Sequence, residues 1–172
     1  MHCGKFYYVV GVTDMSLIFK KLGLSPEDLE DMQKNSLRLD KRDKRALIKT
    51  YETDYVITQD DIVALEAEIG FSLPQDYIDF LMRYNGGDPS KSVFNENVVV
   101  QYFFALKSHY SGYLLINMGD YGLAIAETPN GDQLVLSPTG KIYYFDHEIP
   151  YCEGEELEFV CESFTALLEG LY

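Results

Sequence analysis

The stretch from Ile69 to Gly87, IGFSLPQDYIDFLMRYNGG, limits the possible folds of this chain more than any other segment. Leu73-Pro74 predicts the start of a helix, because proline fits the first helical position, where no N–H is needed. Asn85 or Gly86 can take the left-handed conformation that ends a helix. Between these signals, one apolar stripe at helical spacing is formed by Tyr77, Phe80, Leu81 and Tyr84. The segment therefore predicts a short helix that buries its aromatic side.

Other helices are predicted by capping residues and by apolar spacing. Ser25 with Asp28 and Thr58 with Asp61 have the spacing of capping boxes, so each pair predicts a helix start. Further helices are predicted over Met15–Leu22, Asp40–Thr50 and Ser163–Leu171. The charges of the middle one turn basic along its length, which favours a solvated helix face over a nucleic-acid patch.

After Pro89 the spacing of apolar residues becomes alternating, as in strands. Asn130-Gly131 and the turn Ser137–Gly140 separate successive strands, which implies antiparallel pairing. The predicted strands are Phe6–Val12, Val98–Leu106 (with its even-numbered residues on one face), Tyr113–Met118, Leu123–Glu127, Asp132–Leu136 and Lys141–Asp146. The order of elements predicts an α+β fold, in which helices flank a largely antiparallel sheet.

Charge divides the chain near Tyr51. Residues 1–50 contain ten Lys and Arg against seven Asp and Glu (+3), whereas residues 51–172 contain four against 21 (−17). We therefore expect an N-terminal extension over 1–50 and a main domain over 51–172. The extension could form a separate docking element, add a strand to the sheet or mediate dimerisation, and the sequence leaves the oligomeric state open. The acidic main domain disfavours direct nucleic-acid binding and would attract a basic protein, although such charge also serves solubility alone.

The cysteines and the hydropathy predict a cytoplasmic protein. Cys3, Cys152 and Cys161 are odd in number and form no CxxC pair, which disfavours a secreted disulfide scaffold. We interpret them as core or surface thiols rather than metal ligands. No apolar run has the length of a signal peptide or of a membrane span.

No convincing catalytic, metal or cofactor site is predicted. Asp146-His147-Glu148 could suggest a metal site, but neighbours on an extended chain point to opposite faces. A histidine that anchors the end of a strand is the better interpretation of His147. Gly119-Asp120-Tyr121-Gly122 lacks the helix and the lysine of a phosphate-binding loop, and no GxSxG elbow is present.

One acidic group of side chains is the best candidate for a partner-binding surface. It could equally be a solvated loop before the last helix. Taken together as a group, the candidate residues are Asp120, Asp132, Asp146, Glu148, Glu153, Glu155, Glu156 and Glu158.

The segment from Ile62 to Ser90 resembles the opening motif of the SUKH family, a helix ending in E-x-x-[IL]-G followed by L-P-x-[DE]-Y and N-G-G-x-P. The segment from Ile125 to Glu148 is similar to the family's paired strands, and Phe159–Leu171 is similar to its closing helix. The resemblance covers roughly Tyr55 to Tyr172, and its landmark residues, mainly structural, are Leu73, Pro74, Tyr77, Asn85, Gly86 and Gly87.

This resemblance implies helices around a curved sheet, no enzyme activity and the binding of another protein. Bacterial members are similar to immunity proteins that neutralise a toxin, and fungal members are regulators of cell-wall assembly. We therefore expect an immunity protein whose partner is a cognate toxin, in particular a basic nuclease whose cleft the acidic surface would fill. The alternative is a regulatory or scaffold module that binds an endogenous protein.

Overall fold

The computed structural model describes residues 17–35, 39–149 and 157–172. The helices are α1 (Pro26–Lys34), α2 (Lys41–Glu52), α3 (Gln59–Ile69), α4 (Gln75–Tyr84) and α5 (Phe164–Gly170). The strands are β1 (Phe19–Lys20), β2 (Asp88–Pro89), β3 (Tyr102–Phe103), β4 (Ile116–Asn117), β5 (Leu123–Glu127), β6 (Gln133–Leu136), β7 (Ile142–Phe145) and β8 (Leu157–Cys161). Short 3-10 turns lie at Ser111–Tyr113 and Gly119–Tyr121.

The predicted capping residues start their helices. The Ser25 hydroxyl accepts a hydrogen bond from the Asp28 amide, and the Asp28 carboxylate accepts one from the Ser25 amide at 2.8 Å. Thr58 and Asp61 form the same reciprocal pair at α3. Asp40 caps α2 by accepting from a backbone amide at 2.7 Å. These predictions are confirmed because the bonds that start a helix join residues close in sequence.

Helix α4, which lies within the stretch Ile69–Gly87, begins one residue later than predicted. Pro74 is extended and occupies the N-cap position, without a side-chain hydrogen bond, instead of the first helical position. Tyr77, Phe80 and Leu81 are buried as expected, and Tyr84 is half-buried. The helix ends at Asn85, whose φ of 51° is left-handed as predicted.

The main sheet has the order β3-β5-β6-β7-β8, with β4 also paired to β5, and all of its strand pairs are antiparallel. This confirms the predicted α+β class and the hairpin turn at Asn130-Gly131 between β5 and β6. Register shifts interrupt the β5–β6 and β7–β8 ladders. Such bulges bend strands and increase their twist.

Two predicted strands are shorter or differently built. Of Val98–Leu106 only β3 forms, and the alternation fails because Phe103, Phe104 and Ala105 are buried in succession. The backbone of this segment is bonded to neighbouring chain: Phe103 exchanges hydrogen bonds with Gly87, and the Phe104 amide donates to the Ile125 carbonyl at 2.8 Å. The range predicted as Tyr113–Met118 contains the end of a 3-10 turn and then β4.

The predicted helix over Met15–Leu22 is wrong in its described part, which contains β1. Phe19 lies opposite Pro89, and Lys20 lies opposite Asp88, in an antiparallel pair separate from the main sheet. Leu17 is buried whereas Ile18 is 70% exposed, so the side chains alternate as in a strand. The predicted strand Phe6–Val12 lies outside the described residues.

Strand β8, at one side of the main sheet, was not predicted from the sequence. Residues Phe159 to Cys161, which were compared with a closing helix, belong to this strand, and α5 begins at Phe164 behind its cap Ser163. Glu158 and Phe159 are both exposed, so the strand lacks a clear apolar alternation. Cys161, at its end, is buried in the core, where burial raises the pKa of its thiol to about 11.

Helices α3, α4 and α5 share one hydrophobic core with the sheet. At its centre, the rings of Tyr77 and Phe80 lie 4.9 and 5.0 Å from the ring of Phe164. Phe19 from β1 adds its ring at 5.1 Å from Phe80. This aromatic packing fixes the sheet against the helices. Within the described ranges, no helix has the length and apolar character needed to cross a membrane.

Candidate functional site

Antiparallel pairing brings several of the candidate carboxylates to one edge of the sheet. Gln133 at the start of β6 lies opposite Phe145 at the end of β7, which in turn lies opposite Leu157 at the start of β8. Asp132 and Asp146, just beyond the paired ends of β6 and β7, are therefore neighbours, and Glu158 lies one residue inside β8, opposite Tyr144. We call this the acidic edge; its described members are Asp132, Asp146, Glu148 and Glu158.

Asp132 is the buried anchor of the acidic edge. It is only 5% exposed, and its carboxylate accepts a hydrogen bond from the Tyr144 hydroxyl. The other carboxylate oxygen meets His147 twice, at 3.2 Å from the backbone amide and 2.7 Å from Nδ1. Burial opposes ionisation of Asp132, but these hydrogen bonds outweigh it and lower the pKa of the carboxyl. Asp132 therefore holds the ends of β6 and β7 together.

His147 is the hydrogen-bond partner of Asp132 at the end of β7. The hydrogen bond to Asp132 raises the pKa of the imidazole above its usual value of 6.5, against a smaller effect of burial. The side chain is 45% exposed, so it reaches solvent while it anchors the strand end. This agrees with the prediction that His147 has an anchoring role at the end of a strand.

Three potential metal ligands do converge here, but they are not the set Asp146-His147-Glu148 that was considered from the sequence. Single ligand atoms of Asp132, Asp146 and His147 lie within 4.8 Å of one another, whereas Glu148 is not part of this group. Both oxygens of Asp132 already accept hydrogen bonds from Tyr144 and His147. These hydrogen bonds are sufficient to explain why Asp132 and His147 converge, and Asp146 is next to His147 in the chain.

The outer members of the acidic edge present their carboxylates to solvent. Asp146 is half-buried, and its Oδ1 accepts a bond from the Glu148 amide at 2.8 Å. Glu148 and Glu158 are exposed, and Glu158 lies opposite Tyr144 in the β7–β8 ladder. No Lys or Arg of the described residues pairs with any of these three carboxylates. The candidates Glu153, Glu155 and Glu156 lie outside the described residues.

Asp120 is not brought to the acidic edge. It is exposed in the turn Gly119–Tyr121, just before β5. Leu123 at the start of β5 lies opposite Leu136, so Asp120 sits at the other end of β6 from Asp132. A strand of this length separates the two by roughly 10 Å or more.

The family landmarks lie at the two ends of α4, where their contacts are structural. Leu73 is buried, and its amide donates to the Glu66 carboxylate at 2.8 Å. A Cβ on Gly86 would lie 2.7 Å from the carbonyl oxygens of Phe103 and Phe104, so only glycine fits there. The same test places a Cβ on Gly87 at 2.7 Å from the Lys20 carbonyl oxygen.

Two side chains that stabilise the acidic edge and the C-terminal end of α4 were not predicted to do so from the sequence. Tyr144 was assigned to a strand but not recognised as the partner of Asp132, and the side chain of Asn85 was given no contact. The alternation of side chains was the available signal for Tyr144. Tyr144 shares a face with its ladder partner Leu134, and Asp132, two residues before Leu134, is expected on that same face. Asn85 gave no such signal, since its partners lie more than 20 residues away.

Comparison with known proteins places most of the chain in one family. The model of the SMI1 / KNR4 family (SUKH-1) matches residues 56–170. No curated protein and no solved structure gives a significant match. The matched range includes α3, α4, α5 and the whole main sheet, whereas β1, α1 and α2 precede it.

Proposed function

Because the chain belongs to the SMI1 / KNR4 family (SUKH-1), we propose that it is an immunity protein that binds a cognate bacterial toxin and covers the toxin's active cleft. Members of this family are generally non-enzymatic immunity or regulatory proteins that bind other proteins. Within this family-level role, the partner class proposed for this chain is a bacterial toxin, and the binding surface is the acidic edge.

The acidic edge is the observation that carries the proposal. The Glu148 amide donates to Asp146 at 2.8 Å, and Glu158 lies opposite Tyr144, whose hydroxyl donates to Asp132. None of Asp146, Glu148 and Glu158 has a Lys or Arg partner among the described residues. The partly buried hydrogen bond between Asp132 and Tyr144 fixes the ends of β6 and β7. Strand ends that are already held together lose little backbone freedom when a cationic partner binds.

The partner that best complements this surface is a basic toxin, in particular a nuclease. A nuclease cleft has cationic groups that bind phosphate, and carboxylates can take the place of phosphate in such a cleft. The charge of −17 over residues 51–172 would also accelerate the encounter with a basic protein. Occlusion needs no chemical step by this chain.

The proposal is tested by co-expressing the full chain with the product of the neighbouring gene in a bacterial host. We expect that product to stop growth when expressed alone and this chain to restore growth. The triple variant Asp146→Lys, Glu148→Lys, Glu158→Lys should lose protection, because it places three cations where the toxin is expected to be basic.

A matched control separates the acidic edge from net charge. The triple variant Glu68→Lys, Glu96→Lys, Glu169→Lys makes the same change of charge at three exposed carboxylates away from the acidic edge and should still protect. Equal loss of protection in the two triple variants would show that total charge matters and not the edge. A toxic product that this chain does not neutralise would contradict the proposal and favour the regulatory alternative.

A further inference from the structure

A cleft of about 240 Å³ opens where the segment before the family domain meets the C-terminal end of α4. One wall comes from the earlier segment, with Phe19, Lys21, Leu22, Thr50, Thr53 and Asp54. The other comes from the end of α4 and from the chain after β3, with Arg83, Tyr84, Asn85, Ala105 and Lys107 among its residues. Half of this cleft therefore lies outside the matched range 56–170.

The charge of the cleft is opposite to that of the chain. Three cationic side chains line it, Lys21, Arg83 and Lys107, against the single carboxylate of Asp54. Residues 51–172 contain only four Lys and Arg, and two of those four are in this cleft. In a chain with a net charge of −14, such a concentration of cations marks a local site for a negative group.

The cations differ in how firmly they are already paired. Lys107 is held by Asp61 at 2.7 Å in a partly buried pair. Lys21 meets Asp54 at 3.0 Å, but the Asp54 side chain is 97% exposed, so this pair is weak and readily exchanged. Arg83 makes no ion pair with any described residue, and its guanidinium lies 5.0 Å from the ring centre of Tyr84. Arg83 is therefore the cation most available to a ligand.

We propose that this cleft binds a small organic anion that carries a carboxylate or a phosphate group. Arg83 would bind the anionic group through its planar fork of N–H donors, with Lys21 exchanging Asp54 for the ligand. The apolar part of the ligand would lie against Phe19, Leu22 and Met82, which also line the cleft. The site needs both the earlier segment and the family domain, so it is a property of this chain and not of the matched range alone.

The test is an NMR titration of the full isotope-labelled chain with phenyl phosphate and, separately, with benzoate, at constant ionic strength. We expect saturable shifts of backbone amides at residues 50–55, 82–86 and 105–107, with a dissociation constant at or below about 1 mM for one of the two probes. The probe that binds more tightly identifies the preferred anion. Shifts that do not saturate with either probe would overturn the proposal.

Matched variants locate the binding. Arg83→Gln and Lys21→Gln should each weaken binding of the preferred probe by about tenfold, since each removes one charged contact. Lys91→Gln removes an exposed cation of the same domain that does not line the cleft, and it should bind the probe as the unchanged chain does. Unchanged affinity in Arg83→Gln, or an equal loss in Lys91→Gln, would contradict the assignment of the site.

Discussion

Asn85 holds the backbone of Lys107 through both functional atoms of its side chain. Its Nδ2 donates to the Lys107 carbonyl oxygen at 2.8 Å, and its Oδ1 accepts from the Lys107 amide at 3.0 Å. The same Oδ1 accepts from the Leu106 amide at 2.8 Å. The residue that ends α4 thus also fixes the chain after β3, including one cation of the cleft.

Replacing Asn85 should separate its two roles. Asn85→Ala loses three hydrogen bonds and forces alanine into a left-handed conformation, so we expect the free energy of unfolding to fall by about 3 kcal/mol. Asn85→Gly loses the same bonds without the backbone penalty and should lose about 2 kcal/mol. Urea denaturation followed by circular dichroism measures both. A loss below about 0.5 kcal/mol in both variants would show that the bonds contribute little.

Tyr77 is a family landmark whose hydroxyl group is buried without a hydrogen-bond partner among the described residues. Burial alone raises its pKa well above the usual value. Removing an unsatisfied buried hydroxyl is favourable, so we expect Tyr77→Phe to be neutral or to raise the free energy of unfolding by up to about 1 kcal/mol.

The control for that change is Tyr77→Ala, which deletes a fully buried ring and should cost about 3–5 kcal/mol. The urea midpoints of the two variants give the comparison. If Tyr77→Phe is destabilised by more than 1 kcal/mol, the hydroxyl has a bonding role that the described contacts do not contain.

Ionisation of Asp88 should lower the free energy of unfolding as pH rises. Burial raises the pKa of its carboxyl to about 6, with Lys20 opposing the rise and Asp28 adding to it. Since the folded pKa lies above the usual value of 3.8, its contribution to stability is fully present below pH 3.8 and is lost as pH rises through about 6. After allowance for solvent screening, Asp88→Asn should stabilise the fold at pH 7 by about 1 kcal/mol.

The measurement for Asp88 is the free energy of unfolding of the unchanged chain and of Asp88→Asn at pH 5 and pH 7.5. The difference between the two proteins should grow with pH. A constant difference would mean that the side chain affects stability by its shape and not by its charge.

His147 should contribute a second and separable pH dependence. Its bond to Asp132 raises the pKa of the imidazole above 6.5, so the stabilisation is complete below pH 6.5 and disappears as pH rises through the raised pKa. His147→Gln keeps a donor near Asp132 without the titration, and the unfolding curves of this variant should lose that part of the pH dependence. The same pH profile in His147→Gln and the unchanged chain would exclude the Asp132–His147 bond as its source.

Association with the proposed toxin should be steered by charge. We expect the association rate constant to fall as salt rises from 50 to 500 mM, because salt screens the acidic edge from a basic partner. The triple variant at Asp146, Glu148 and Glu158 should associate more slowly and with a weaker salt dependence. Stopped-flow mixing measures both rates, and a rate that is independent of salt would count against an electrostatic encounter.

Much of the fold was predictable because its signals are local. The capping pairs Ser25–Asp28 and Thr58–Asp61 act over three residues, and the turn at Asn130-Gly131 joins adjacent strands. The run of apolar residues that makes up most of each of β5, β6 and β7 is likewise contained within its strand. Family membership could be recognised from the sequence for a related reason, since its landmarks begin and end one helix.

The remaining features depended on contacts between distant parts of the chain. Whether β1 and β8 are strands is decided by their partners β2 and β7, and no local pattern records the pairing. The sequence identified Asp132 as acidic, but only the packing of Tyr144 and His147 around it made it a buried anchor. The cleft unites Lys21, Arg83 and Lys107. The residue sequence by itself therefore determined the helix starts, the hairpin and the overall charge. The tertiary structure decided which charges are neighbours, because side chains far apart in sequence meet only when the core has packed.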